Sequence, residues 1–227
     1  MKRTEEPYWL EEAYKNVITN LDIGLVSRNI SYANQLPGIL DKHFNNGGKY
    51  LDYGGGYGMF VRLMRDRGFD FYRSDKYCEN LFAKYFDISD LEKGTKFQLI
   101  TAFEVFEHLP NPIEEIEKMF ELSASILFST LVQPGTVIHS ASDWWYFAPE
   151  TGQHVSFYSI KSLKEISKKF NKNLFSDGSS LHLLTEKKFP ERILKLSFFT
   201  KISRKLFSIR NSSLLQNDFE YIKKNTN

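Results

Sequence analysis

Cysteine is almost absent from this chain. Cys78 is the single cysteine among 227 residues, whereas a disulfide needs two cysteines and a cysteine-based zinc or iron–sulfur cage usually needs four. The sequence therefore predicts no internal disulfide and no such metal cage, and it favours a reducing, cytoplasmic setting. Residues 1–7 run into acidic and aromatic positions without an apolar stretch, so we expect no export by a secretory signal.

Long apolar runs are also scarce. Residues 122–142 carry no charged side chain, and a run of this length is in the range of a membrane-spanning helix. The run contains polar side chains, however, and Pro134 with Gly135 interrupts its middle. This pattern predicts a buried strand followed by a loop rather than a membrane span.

An excess of positive charge is confined to one end of the chain. The formal net charge is +2, yet residues 187–227 hold ten lysines or arginines against three acidic residues. Residues 1–186 are therefore net negative, which argues against a nucleic-acid partner. Apolar residues alternate with the basic ones in the tail, which predicts either contact with an anionic membrane or packing on the protein's own domain or on a second subunit.

The hydrophobic pattern predicts an α/β fold. Hydrophobic residues make up 41% of the chain, enough to bury a core, and short apolar runs alternate with helical stripes. The strands are predicted at residues 49–53, 69–74, 83–86, 97–102 and 124–130, and an antiparallel hairpin at 174–177 and 181–184. Helices are predicted at residues 9–20, in a segment ending at residue 40, and at 59–67, 114–122 and 160–170. Strands joined by helical crossovers imply a doubly wound, mostly parallel sheet closed by the hairpin.

A glycine-rich loop follows the first predicted strand. It has the pattern D-x-G-x-G-x-G, with Asp52 at its start and glycines at Gly54, Gly56 and Gly58. Glycines let a ligand approach the backbone closely. A dinucleotide fingerprint would place its third glycine at Met59, and an acidic residue suits a cationic amino-acid group better than a pyrophosphate. The loop therefore predicts a ligand with positive charge near Asp52.

Asp75 ends the second predicted strand, 19 residues after Gly56. An acidic side chain at this place typically accepts hydrogen bonds from ribose hydroxyls. A turn or helix-cap aspartate is the alternative interpretation.

The chain resembles the class I S-adenosylmethionine-dependent methyltransferases. The glycine loop, Asp75 and the segment 97–110, which contains the start of an E-H-L-x-x-P pattern at Glu107, carry this resemblance over residues 45–186. It implies a seven-stranded sheet and S-adenosylmethionine as the cofactor. The resemblance divides the chain into a helical lid segment (1–44), the cofactor-binding domain (45–186) and a basic helical tail (187–227).

The same resemblance implies roles for individual residues. The methionine part of the cofactor would contact the glycines, and the ribose would contact Asp75. The adenine edge would contact the residues after the third strand. The residues after the fourth strand would line the other face of the cofactor. The cofactor-binding residues are then Asp52, Gly54, Gly55, Gly56, Asp75, Asp87, Ile88, Phe103 and Glu104. A helix cap is the alternative role for Asp87.

An aromatic loop at residues 143–159 is the candidate acceptor site. Stacked aromatic rings beside polar donors suit a sugar ring, and the loop resembles that of a methyltransferase subgroup in bacterial surface-polysaccharide synthesis. Trp144, Trp145 and Tyr146 are the predicted acceptor contacts, and a hydrophobic plug against the N-terminal helices is the alternative. Arg28 would hold an anionic acceptor or form a surface salt bridge.

His154, in the aromatic loop, is the predicted general base, and His108, after the fourth strand, is the second candidate. A structural histidine that fixes its loop is the alternative for His108. Glu104 and Glu107 are three residues apart, a spacing typical of one face of a turn rather than of a metal cage, so we expect no metal.

These features together predict an O-methyltransferase that acts on a small-molecule or lipid-linked saccharide, with a homodimer as the candidate assembly. The alternatives are a methyltransferase for a quinone precursor or similar metabolite, and a non-catalytic cofactor-binding scaffold. A nicotinamide dehydrogenase is the least favoured, because Met59 occupies a glycine position.

Overall fold

A six-stranded mixed sheet is the centre of the chain in the computed structural model, which describes residues 22–196 and 212–225. The strands are β1 (Lys49–Tyr53), β2 (Asp70–Ser74), β3 (Ile100–Ala102), β4 (Ser125–Ser129), β5 (Asn173–Ser176) and β6 (Leu181–Thr185). Their order is β2-β1-β3-β4-β6-β5. The first four strands run parallel, and β6 pairs antiparallel with β4 and β5. The predicted α/β fold is confirmed, with six strands among the described residues instead of seven.

The predicted third strand does not form, because the chain turns where it would run. Asn80 Nδ2 donates to Ala83 O at 2.7 Å, and Ala83 N donates to Asn80 Oδ1 at 2.9 Å. Tyr85 has a φ of 69°, which is far from the extended backbone of a strand. An isolated bridge between Arg73 and Asp87 is what continues the sheet beside β2.

Helices cover both faces of the sheet. They are α1 (Leu25–Gln35), α2 (Pro37–His43), α3 (Met59–Arg65), α4 (Pro112–Leu122), α5 (Ile160–Lys169), α6 (Ile193–Leu196) and α7 (Leu215–Asn225). The helices α1, α2, α3 and α6 pack with Tyr50 and Phe71 of the sheet, and α4 and α5 pack with Ile126 and Phe128. No helix in the described ranges is both long and apolar enough to cross a membrane.

Two of the predicted helices differ from the helices described in the structure or lie outside the described residues. The predicted helix ending at residue 40 is two helices, since Pro37 begins α2 directly after α1; proline is favoured at the first position of a helix because it has no N–H to leave unpaired. The predicted helix at residues 9–20 and residues 197–211 of the tail lie outside the described residues. The division into lid, cofactor domain and tail stays a prediction.

A buried ion pair attaches α7 to α3. The Arg65 guanidinium donates to both carboxylate oxygens of Asp218 at 2.8 Å, and each side chain is almost fully buried. Ile222 of α7 packs against the apolar cluster beneath α3. The described part of the basic tail therefore packs on the chain's own core.

Candidate active site

A cavity of about 730 Å³ lies at the carboxyl ends of the parallel strands. Ligands of open α/β sheets bind at this edge, and the volume is within the range of about 300–1,000 Å³ typical of small-molecule sites. Its walls come from the segments that follow β1, β2 and β3, from helix α1 and from the aromatic loop. The predicted site residues found in the lining are Arg28, Asp52, Gly54, Gly55, Gly56, Asp75, Phe103, Glu104, His108, Trp145, Tyr146 and His154.

The glycine loop after β1 has no room for larger residues. Gly54 has a φ of 69°, and a Cβ there would lie 2.6 Å from a methyl carbon of Val105. A Cβ on Gly55 would lie 2.8 Å from Asp52 Oδ2. The loop is held in place by Gly54 N, which donates to Ser74 O at 2.7 Å. The backbone itself therefore forms this wall of the cavity.

Asp52 is buried beside the loop. Its Oδ1 accepts a hydrogen bond from Thr101 Oγ1 at 2.7 Å. Burial, with a smaller contribution from the carboxylate of Asp75, raises the pKa of Asp52 to about 7, against the opposing effects of the Thr101 hydrogen bond and the charge of Arg73. A cation bound beside Asp52 would stabilise its ionised form.

Asp75 lies in the cavity wall and also braces its surroundings. One carboxylate oxygen accepts from Gly56 N at 2.9 Å, and the other accepts from Tyr77 N and Cys78 N at 2.8 Å each. A carboxylate offers about four acceptor positions, so one stays available for a ligand hydroxyl. The turn role considered for Asp75 is present, and its ribose role stays a prediction.

Asp87 and Ile88 are not in the cavity lining. Asp87 accepts hydrogen bonds from Arg73 Nε at 2.6 Å and Asn80 Nδ2 at 2.9 Å, and it caps a short 3-10 helix at Ile88–Asp90. The cap alternative describes Asp87 as the structure has it. The adenine role of both residues stays a prediction.

Phe103 and Glu104 both line the cavity after β3. The Phe103 ring stacks on Tyr32 of α1 at 4.0 Å, so α1 covers the cavity on this side. Glu104 has a φ of 54°, an uncommon conformation for a non-glycine residue. Ser129 holds it there: the Ser129 hydroxyl donates to the Glu104 carboxylate and accepts from Glu104 N.

Two distant segments are joined by hydrogen bonds behind the cavity. Val155 N and Ser156 N both donate to the carbonyl oxygen of Glu107, at 2.8 and 2.9 Å. Ser156 Oγ donates to Leu109 O at 2.6 Å, and the Nδ1 atom of His108 lies 3.1 Å from Gln153 O. These contacts hold residues 153–156 against residues 107–109.

The junction brings Glu107, His108 and His154 together, and we call these three residues the Glu-His-His cluster. One potential ligand atom from each lies within 4.8 Å of the others. The Nδ1 atom of His154 is 2.6 Å from Tyr146 O. A carbonyl oxygen only accepts hydrogen bonds, so Nδ1 of both histidines carries the proton and Nε2 carries the lone pair.

Burial controls the charge of the cluster. It lowers the pKa of His108 to about 4, helped by the nearby His154, and it lowers the pKa of His154. Burial, followed by the charge of Glu104, raises the pKa of Glu107 well above its usual range. The Tyr146 and Thr130 hydroxyls lie near enough to oppose this rise in the pKa, but neither carboxylate oxygen of Glu107 has a partner within standard hydrogen-bond geometry.

The three predicted acceptor contacts of the aromatic loop do not all line the cavity. Trp144 is buried against Tyr146, Phe147 and Phe157 and is not in the cavity lining. Tyr146 lines the cavity with its ring 4.7 Å from that of His154. Trp145 lines the cavity too, although 75% of it is exposed. Trp144 therefore packs within the loop itself, and Trp145 is the tryptophan that lies at the cavity.

Arg28 lines the cavity in an ion pair with Asp22, at 2.7 Å. The salt-bridge alternative for Arg28 is present, and an anion-binding role stays a prediction. Sequence reasoning missed Tyr32 and Glu107 as site residues. Tyr32 follows Arg28 by one helical turn, a spacing that places both on one helix face, and Glu107 directly precedes His108.

Comparisons with known proteins support the family assignment. Residues 27–176 match a family model described as a methyltransferase domain, and no curated protein matches the chain. The plantazolicin methyltransferase BpumL, solved with SAH and a triazolic desmethylPZN analog, is 14% identical, with a TM-score of 0.53 over 88% of this chain and 83% of that chain.

Two further structures share the fold at similar identity. The SAH-bound form of CalO1, a methyltransferase in calicheamicin biosynthesis, is 13% identical with a TM-score of 0.52 over 78% of this chain and 61% of that one. An O-methyltransferase family 2 protein from Planctomyces limnophilus, in complex with apigenin, is 12% identical with a TM-score of 0.50, covering 78% of this chain and 65% of that one. The chain thus spans less than two thirds of either protein. By its match to the family model over most of its length, the chain belongs to the methyltransferase domain family.

Proposed function

We propose that this enzyme methylates a hydroxyl oxygen of a sugar or glycan intermediate. The carrying observation is that one cavity is lined by the glycine loop, by the exposed ring of Trp145 and by two histidines of the Glu-His-His cluster. An aromatic ring at the mouth suits the apolar face of a sugar. Polar groups within the same cavity suit its hydroxyls.

The residues on the glycine-loop side fit the cofactor. S-adenosylmethionine supplies a methyl group on a positively charged sulfur, which an oxygen nucleophile can attack directly. Asp52 would hold the cationic amino group of the methionine part, and Asp75 has one acceptor position left for the ribose. The glycines keep side chains out of the space between them.

His154 is the proposed general base. Because Nδ1 donates to Tyr146 O, Nε2 is the atom that can take the proton of the acceptor hydroxyl. The O–H electron pair then forms the O–CH₃ bond, and the S–CH₃ pair returns to sulfur. His108 is the second candidate for the same step, since its Nδ1 is likewise bound to a carbonyl.

A phenolic or quinone-like acceptor is the second candidate. The Tyr32 and Phe103 rings form a stacked pair in the cavity wall, which would pack on a flat aromatic acceptor. The structurally similar family 2 protein was solved with apigenin, a flavonoid. Peripheral membrane contact through the tail, a homodimer and a cytoplasmic setting stay predictions.

Calorimetric titration with S-adenosylmethionine and S-adenosylhomocysteine tests the cofactor, with Asp75→Asn as the weakened variant. Radiolabelled methyl transfer to pools of nucleotide sugars, glycolipids and phenols then tests the acceptor. We expect transfer to a saccharide, with a raised KM in Trp145→Ala. Val137→Ala is the matched control, because Val137 lies in the segment just before the aromatic loop, is equally exposed at 75% and is not in the cavity lining. Transfer to phenols alone would favour the second candidate, and absence of cofactor binding would refute both.

A further inference from the structure

The Glu-His-His cluster has the composition of a metal site. Two imidazoles and one carboxylate, with ligand atoms within 4.8 Å of one another, are the donor set of many catalytic zinc sites and of some iron sites. His154 lies 46 positions beyond His108 in the sequence. The expectation of no metal rested on the spacing of Glu104 and Glu107. That spacing gives no information about His154, which is distant in the sequence.

Both histidines are held as metal-binding histidines usually are. In each ring, Nδ1 donates to a backbone carbonyl: that of Gln153 for His108 and that of Tyr146 for His154. Such a bond fixes the ring, selects the tautomer and makes Nε2 a better electron donor. The two rings meet edge to face, with centroids 4.9 Å apart.

The carboxylate of Glu107 is a second, independent observation. The residue has no exposed surface, and neither carboxylate oxygen has a hydrogen-bond partner within standard distance and angle limits. The groups that stabilise its ionised form are the Tyr146 and Thr130 hydroxyls and its own backbone N–H, all of them uncharged. Buried polar groups in proteins nearly always have partners, so this carboxylate is available to a cation in the cavity. The carbonyl oxygen of Glu107 already accepts two N–H groups.

We propose that the Glu-His-His cluster binds one divalent transition-metal ion through Nε2 of His108, Nε2 of His154 and the carboxylate of Glu107. Two nitrogen donors favour zinc, cobalt, iron or manganese over magnesium and calcium, which prefer oxygen ligands alone. Three protein ligands leave a coordination position for the acceptor hydroxyl.

This inference rests on the proposed function and changes one step of it. A bound ion lowers the pKa of a coordinated hydroxyl, so the hydroxyl proton leaves to water and the oxygen keeps the electron pair that attacks the methyl carbon. His154 and His108 are then ligands rather than bases. The sulfur still receives the electron pair of the broken S–CH₃ bond.

Cobalt binding tests the site without any need for activity. The full chain is freed of metal with a chelator, dialysed and titrated with Co²⁺, and the visible absorption of the bound ion is followed; Zn²⁺ is then added as a competitor. We expect one equivalent of Co²⁺ with nitrogen-donor bands, displaced by Zn²⁺. Glu107→Gln and His154→Ala should weaken binding by more than the about 10- to 100-fold typical of losing an outer-shell partner.

His139→Ala is the matched control, since His139 is an exposed histidine in the preceding segment of the same loop. It should bind Co²⁺ like the wild type. Glu107→Gln keeps the shape of the side chain and removes its buried charge, so its circular dichroism and thermal unfolding should show a folded protein. Cobalt bands that are absent from the wild type, or that survive both cluster substitutions, would overturn the metal site.

Titration with S-adenosylhomocysteine separates failure of this inference from failure of the function. If the chelated enzyme binds the cofactor product and transfers methyl at the wild-type rate, the metal proposal is wrong and the histidine base stands. If transfer falls on chelation and returns with Zn²⁺ or Mn²⁺, the metal proposal is supported. A chain that binds Co²⁺ but never binds the cofactor product would refute the proposed function and leave the metal site in place.

Discussion

Replacing Asp52 by asparagine should stabilise the fold and abolish cofactor binding. Asp52 is 4% exposed, and the Thr101 hydroxyl is the one hydrogen-bond donor recorded on its side chain among the described residues. Asparagine keeps an oxygen for that bond and removes the charge. In the absence of a bound cation, the buried carboxylate of Asp52 therefore lowers the stability of the fold.

The size of the effect follows from the shifted pKa. Burial raises the pKa of Asp52 from 3.8 to about 7, so the native state holds a proton that the unfolded chain releases near pH 4. The unfolded state binds fewer protons in this window, and stability therefore falls as the pH rises from about 4 to about 7. Each pKa unit corresponds to about 1.4 kcal/mol. Two of these units lie between pH 5 and pH 7, so the wild type should lose about 3 kcal/mol relative to Asp52→Asn between pH 5 and pH 8.

Urea unfolding of both proteins at pH 5, 6.5 and 8 measures this difference directly. Glu79→Gln, at an exposed carboxylate, is the control and should show no such trend. Affinity for S-adenosylhomocysteine should fall in the wild type below pH 7, because protonated Asp52 no longer attracts the amino group. A stability difference between wild type and Asp52→Asn that stays constant across the three pH values would refute the reasoning.

Two substitutions test the loop and the tail. Gly54→Ala forces a Cβ to 2.6 Å from Val105 at a positive φ and should lower stability by about 1–3 kcal/mol and abolish calorimetric binding of S-adenosylhomocysteine; Gly178→Ala, at φ 90° with open space around its Cβ, should keep that binding. Asp218→Asn leaves the buried Arg65 guanidinium with Asp70 as its remaining carboxylate partner and should cost about 1.5–3 kcal/mol in urea unfolding, while cofactor affinity stays at the wild-type value.

The cofactor side of the site could be predicted because its chemistry is local. Asp52 and the glycines lie within seven positions of one another, and their spacing disfavours a dinucleotide loop. Asp75 ends a strand that is visible as an apolar run. The conformations involved, such as the positive φ of Gly54, are ones that glycine adopts without strain.

The adenine prediction depended on a strand, and there the local signal misled. Residues 83–86 have the apolar character of a strand, but the reciprocal hydrogen bonds between Asn80 and Ala83 close a turn. The positive φ of Tyr85 is uncommon for a bulky residue and could not be foreseen. Asp87 pairs with Arg73 and is not in the cavity lining, and its adenine role stays a prediction.

The acceptor side could be predicted only in part. The sequence points to each histidine as a candidate, but it does not predict that the two histidines lie next to each other. His108 and His154 come together through hydrogen bonds from Val155 and Ser156 to the carbonyl oxygen of Glu107. Backbone pairing between such distant segments leaves no spacing pattern in the sequence. The burial that makes Glu107 unusual is likewise a property of the packed chain.

The same backbone pairing places the reacting residues and the residues that select the acceptor in different segments of the chain. Residues 153–156 are fixed to residues 107–109 by backbone bonds, and the carbonyl oxygen of Tyr146 holds the His154 ring, so the cluster geometry does not depend on residues 133–145. Trp145, in that loop, is largely exposed and contributes to the cavity wall. Exposed loops tolerate changes in sequence and length far better than paired segments do. We therefore expect changes in residues 133–145 to alter which acceptor is methylated, and changes in residues 107–109 or 153–156 to abolish transfer to every acceptor.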